Sequence, residues 1–197
     1  MNPERTALAA ALTHPDSSVR LRAAMAAGTS PDPDLLESLV DRCATEPDFF
    51  VRDMLTWAIT RLPADVTVPR LLVELRSPVN QARSQSLHTL SKIGDSRAWP
   101  AIERGHLHDP DDEIARTAWR AAAALAPHSE KAALATELAT ELGCRDPASR
   151  RSLSRALVEL DDIAEPVLAA AASHDDPQVR AHAASTLKML EEARADR

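Results

Sequence analysis

The sequence predicts an all-α chain made of tandem short helix pairs, and three observations lead there. Aromatic residues are 3% of the chain, Tyr is absent and Gly occurs only 4 times in 197 residues. Alanine runs at 121–124 and 169–172 suit closely packed helices rather than strands. Third, a short polar turn, an apolar or small residue, usually an Arg, and then apolar residues at helical spacing recur six times.

The residues before the Arg column serve as anchors: Val19, Val51, Ala82, Ile114, Ser149 and Val179. They stand 30 to 35 residues apart, the length of two short helices with two turns. The next column reads Arg20, Arg52, Arg83, Ala115, Arg150 and Arg180. Asp16, Asp48, Asp111 and Asp176 stand three residues before their anchors, where a carboxylate caps a helix start and meets its positive end. A second helix of each pair is therefore expected to begin at each turn. The first helices are expected over about 3–12, 33–45, 66–76, 97–107, 129–142 and 163–173. Pro69, Pro100 and Pro166 fall 13 or 14 residues before their anchors, so a proline kinks or restarts three of them at one register. The repeats run about 3–28, 33–62, 66–94, 96–125, 128–160 and 162–192 within one expected domain over 1–197. The fifth departs most, with Ser149 as anchor and a longer spacing before it.

The proline of the first helix, the capping Asp and the Val-Arg opening of the second together resemble HEAT repeats of the short phycobilisome-lyase type, over nearly the whole chain. That resemblance implies a right-handed α-α superhelix of about six helix pairs. More narrowly, EPDFFVRDMLTWAITR and QARSQSLHTLSKIGDSRAWP resemble a HEAT module of actinobacteria found alone or attached to MerR-type regulators. The preponderance of Arg over Lys, which occurs only at 92, 131 and 188, agrees with a bacterial source of high GC content.

Around each second helix, offsets 0, 4, 8 and 11 from the anchor are mostly apolar and form the expected core. Offset 6 points the other way, with offset 2 beside it, and in HEAT-like arrays this face lines the concave groove. Offset 6 reads Met25, Trp57, His88, Arg120, Arg155 and Ser185; offset 2 reads Leu21, Asp53, Ser84, Arg116, Arg151 and Ala181. Offset 10 adds Arg61 and Lys92. The candidate partner-binding residues are thus Met25, Asp53, Met54, Trp57, Arg61, His88, Lys92, Arg116, Arg120, Arg151 and Arg155, apolar at one end and arginine-rich at the other. Trp57 has no evident core role at its offset, whereas Trp119, one place earlier, and Trp99 read as structural. The formal charge is −7, yet the second helices carry more cations than carboxylates. This pattern suits an acidic protein or peptide more than nucleic acid. The anchor-plus-one arginines are expected to pair with turn carboxylates and stitch neighbouring repeats.

The chemistry considered beyond binding is thin. The run HLHDPDD, residues 106–112, holds imidazoles and carboxylates, but at a turn where Asp and Pro serve as cap and breaker, so no metal is expected. HEAT-like hydroxylases bind iron through His-Glu pairs, and the sequence has no His-Glu dipeptide. Gly-rich phosphate loops and nucleophile elbows are absent too, so no enzyme activity and no cofactor are expected. The runner-up reading is a nucleic-acid-binding relative of the HEAT-like alkylpurine DNA glycosylases, for which Trp57, Asp53 and the arginines are loose ingredients. No membrane span or signal segment is evident, and Cys43 and Cys144, expected in separate helices as inert thiols, suit a reducing cytoplasm. Oligomeric state is left open.

Overall fold

The computed structural model describes residues 3–196 and contains helices and turns but no strand among them. Among the described residues twelve α-helices fall into six successive pairs. The first three pairs are α1 (Pro3–Ala11) with α2 (Ser17–Thr29), α3 (Leu36–Thr45) with α4 (Phe49–Thr60), and α5 (Ala64–Glu74) with α6 (Asn80–Ile93). The last three are α7 (Arg104–Leu107) with α8 (Asp112–Leu125), α9 (His128–Ala139) with α10 (Pro147–Glu159), and α11 (Glu165–Ala171) with α12 (Pro177–Ala195). Short 3₁₀ turns at Pro33–Leu35, Ser96–Ala101 and Asp161–Ile163 precede α3, α7 and α11. The all-α class and the six helix pairs agree with the sequence pattern. The chain forms two compact units, Met1–Asp95 and Ser96–Arg197, each holding three pairs.

Caps explain where the second helices begin. Asp16, Asp48, Asp111 and Asp176 each accept a backbone N–H two residues on, at 2.7 to 2.9 Å. Asp146 does the same for Ala148 and Ser149, so the fifth repeat is capped although its anchor is polar. The longer spacing before that anchor is taken up by a turn in which Gly143 and Arg145 have φ of 78° and 62°. A Cβ on Gly143 would lie 2.8 Å from the backbone nitrogen of Val179, so this turn needs glycine both for its φ and for its approach to α12.

The prolines act in three ways. Pro69 sits inside α5, Pro100 lies in the 3₁₀ turn before α7, and Pro166 opens α11. The expected helix over 97–107 is accordingly a 3₁₀ turn and a four-residue α-helix.

In the first unit α2 packs on α4 and α4 on α6; in the second, α8 packs on α10 and α10 on α12. Val51, Leu55, Ile59 and Leu62 are buried in the first unit, and Ile114, Ala118, Ala122 and Leu125 in the second, as the offsets require. Trp119 is 1% exposed and donates Nε1–H to the Leu107 carbonyl at 2.8 Å. No described helix is long and apolar enough to cross a membrane.

The arginine column does something the sequence reading did not foresee. Each guanidinium turns back to backbone carbonyls at the end of its own turn, those five and six residues before it in four cases and the one six before it for Arg83. Arg20 reaches His14 and Pro15, Arg52 reaches Glu46 and Pro47, and Arg180 reaches His174 and Asp175. Arg150 reaches Cys144 and Arg145, and Arg83 reaches Ser77. In those four cases one nitrogen serves both carbonyls, Nη1 of Arg20, Arg52 and Arg180 and Nε of Arg150, and so satisfies two acceptors that the turn leaves open. The fourth repeat has Ala115 in the column, and there Arg145 of the next repeat supplies the missing donor to the Asp109 carbonyl at 2.9 Å.

Arg20 also makes the expected kind of stitch. Its Nε and Nη2 donate to both carboxylate oxygens of Glu46 at 2.7 Å. Glu46 is fully buried and also accepts from Arg42 Nε at 2.7 Å and Asp48 N–H at 2.9 Å. Burial works to raise its pKa, but the two guanidinium groups and the backbone donor outweigh it and hold the carboxyl at about 2.

Candidate functional site

The candidate residues lie on two faces, one in each unit. In the first unit the face is made by α2, α4 and α6. Met25 is 48% and Trp57 39% exposed; Asp53, Arg61 and Lys92 are exposed, and Met54 and His88 are half-buried. The helical register is therefore as expected, with Ser84 the exception at offset 2: it is buried, its hydroxyl donating to the Gln81 carbonyl.

Trp57 has a packing role that the sequence reading denied it. Its six-membered ring lies over Gly28 of α2, so closely that a Cβ there would fall 2.2 Å from the ring. Glycine on α2 makes the slot, and the ring keeps one side to solvent. A lone glycine near the end of an alanine-rich helix was the available signal.

The sequence reading also passed over Phe49 and Phe50, the only two phenylalanines of the chain. They are 65% and 71% exposed at the start of α4, set edge to face at 5.7 Å between centroids, with the Arg52 guanidinium 6.0 Å from the Phe49 ring centre. Periodicity hides them, because offsets counted from the Val51 anchor begin after them.

The second unit presents cations. Arg116 and Arg120 are one turn apart on α8, and Arg151 and Arg155 one turn apart on the adjacent α10. Arg120, Arg151 and Arg155 are exposed and Arg116 half-buried. Arg116 is paired with Glu113, whereas Arg151 and Arg155 have no ion-pair partner among the described residues.

The histidine-rich turn is occupied by ion pairs. The His108 ring lies between Glu137 and Glu141, with Nδ1 2.5 Å from Glu141 Oε1. Burial disfavours the charged ring, but the two carboxylates override it and raise the pKa. Arg145 closes the network, bonding Glu141 at 2.9 Å and Asp112 at 2.7 Å with its guanidinium 5.4 Å from the Trp119 ring centre. Among the described residues no cluster of three or more His, Cys, Asp or Glu could hold a metal ion.

At the other end of this unit His182 accepts the Gly143 N–H on Nδ1, so its Nε2 carries the proton toward Ser154 and the Arg150 carbonyl. Burial lowers its pKa. Cys43 is buried and its thiol is pushed up to about 12 by that burial. Cys144 is instead exposed, in the turn before α10 rather than in a helix.

Comparison with known proteins agrees with this architecture. Residues 4–60 match the family model of HEAT repeats. No curated protein matches the chain. Among solved structures, an engineered protein aligns over 98% of both chains at 20% identity with a TM-score of 0.52. A chain from the complex of CpcE and CpcF of phycocyanin lyase from Nostoc sp. PCC7120 aligns over 94% of this chain and 76% of that one, at 17% identity and a TM-score of 0.53. At such identities the likeness is one of fold. The fold is thus that of HEAT-like helical-repeat proteins, and residues 4–60 are similar to HEAT repeats in sequence as well.

Proposed function

We propose that this protein is a non-enzymatic interaction module that holds an acidic, or mixed acidic and apolar, protein segment on the exposed faces of its second helices. The observation that carries this reading is the arginine quartet of the second unit. Like charges one turn apart on a helix are unfavourable by a few tenths of a kcal/mol per pair, roughly 0.2–0.5. Two such pairs stand on adjacent helices, and Arg151 and Arg155 lack an internal carboxylate. A carboxylate-bearing ligand removes that repulsion and gains charge-assisted hydrogen bonds. Met25, Met54 and Trp57 supply apolar contact in the first unit. The scaffold fold accords with protein binding.

The test is affinity capture from the native host with the wild type beside Trp57→Ala combined with Arg120→Ala. Retention of a specific protein by the wild type and its loss from the variant is expected; equal retention would sink the assignment of these faces. A nucleic acid on the same arginines is the rival, disfavoured by the overall charge of −7. Its signature would be binding that weakens steeply with added salt. Base release from alkylated DNA by purified protein would overturn the non-enzymatic reading.

A further inference from the structure

Residues 50–61 carry an ordered stripe that stays partly or wholly open to solvent, although Trp57 rests on Gly28 and Met54 is half-buried. At roughly 100° per residue, Phe50, Met54 and Trp57 fall within about 60° of one another around α4, and at about 1.5 Å per residue they span about 10 Å. Arg61 continues the same stripe one turn beyond Trp57. Met25 on α2 stands at the register of Trp57, and Lys92 on α6 at the register of Arg61. Phe50 is 71% exposed, and Arg61 and Lys92 are exposed with no ion-pair partner among the described residues.

We propose that this stripe seats a single amphipathic helix of a partner protein, its apolar side on Phe50, Met54 and Trp57 and its carboxylates on Arg61 and Lys92. The proposal rests on the protein-binding reading above and names the form and charge of the ligand in the first unit. Three apolar positions at i, i+4 and i+7 over about 10 Å match two turns of a facing helix, which presents its own apolar residues at the same interval. An extended segment covers that length in about three residues and offers every second side chain to one side, too few to meet all three. Trp57 is held in place by its contact with Gly28, so little side-chain freedom is lost on binding. The charges set a polarity. Asp53 is exposed on the Phe49 side of the stripe, so the ligand end near Phe50 is neutral or basic and the end near Arg61 and Lys92 is acidic.

The experiment uses the full chain and a fluorescein-labelled synthetic helical peptide of about four turns. One face carries leucines at i, i+3, i+4 and i+7, with Glu filling the other face of one half and Ser that of the other half. A second peptide has Lys in place of Glu. Fluorescence anisotropy is expected to show the Glu peptide binding at least about tenfold more tightly than the Lys peptide, and Phe50→Ser weakening it by about tenfold or more. Arg61→Ser with Lys92→Ser is expected to bring the Glu peptide down to the Lys peptide's affinity. Phe50 is exposed, so the variant keeps its helical circular dichroism. Equal binding of both peptides, or full binding by folded Phe50→Ser, overturns the proposal. So does light scattering that shows a dimer dispersed by Phe50→Ser, because the stripe would then be covered by a second copy. In the quadruple variant of Arg116, Arg120, Arg151 and Arg155 to Ser, which separates this proposal from the arginine reading, the dependence of Glu-peptide binding on Phe50 is expected to persist. If the quadruple variant loses the peptide while Phe50→Ser keeps it, the stripe is wrong and the arginine reading stands.

Discussion

Replacing Glu46 by Gln should unfasten the first unit, and by an amount that depends on pH in a defined direction. The carboxyl titrates at about 2 in the folded protein against an ordinary 4.5. At about 1.4 kcal/mol per pH unit, that interval is worth about 3 kcal/mol when the group is ionised in both states. Because the folded pKa is the lower one, the stabilisation is fully present above 4.5 and drains away as the pH falls toward 2. At about pH 3 roughly 1.4 kcal/mol of it remains. Glu46→Gln keeps the shape but leaves the buried Arg20 without its counter-charge, a loss in the range of about 3–5 kcal/mol for breaking one side of a buried pair. Urea unfolding of the two proteins at about pH 7 should therefore separate them by about 3 kcal/mol or more, and the gap should fall by more than half of that carboxylate contribution at about pH 3. All other carboxylates titrate alike in both proteins and cancel in the difference. A gap under about 1 kcal/mol at neutral pH, or one that does not shrink with acid, would refute the reasoning.

Two further outcomes follow from the packing described above. Gly28→Ala should gain about 1 kcal/mol of helix propensity yet drive the Trp57 ring off α2, so iodide quenching of tryptophan emission should increase; unchanged quenching would show that the ring does not rest on Gly28. Arg145→Met removes the donor to Asp109 and the partner of Glu141 and Asp112, and should cost the second unit about 2–3 kcal/mol by urea unfolding, whereas a loss under about 0.5 kcal/mol would mean the network is incidental.

Much of the fold was legible because the repeat announces itself in residues that act locally. A capping Asp and an apolar anchor three residues later are the same device wherever they occur, so the starts of α2, α4, α8 and α12 could be placed from sequence. The proline-bearing first helices were harder. A proline permits an interior kink, a 3₁₀ turn or a fresh start, and Pro69, Pro100 and Pro166 realise one of these each. Exposure of Met25, Trp57, Arg120 and Arg155 followed from the helical period alone. The contact of Trp57 with Gly28 did not, since it joins residues on two helices. Phe49 and Phe50 were missed because a pattern counted from the anchor begins after them. The arginine column was legible, and Arg20 pairs with the Glu46 carboxylate as expected, but the turn carbonyls that the column also serves were not, because sequence displays carboxylates and hides carbonyls.

The way these arginines close their turns bears on how such a chain could be lengthened or shortened during evolution. Where Arg20, Arg52, Arg83, Arg150 or Arg180 is present, the closing donor travels with its own helix pair, so that part of the unit survives duplication or transplantation. The fourth pair is different, for Ala115 leaves its turn dependent on Arg145 of the pair that follows. A recombination breakpoint between α8 and Arg145 would deprive the fourth pair of the Arg145 donor to the Asp109 carbonyl. The fourth and fifth pairs thus share a contact that the other pairs carry within themselves, so a duplication or transplantation that keeps these two together keeps the closing donor as well.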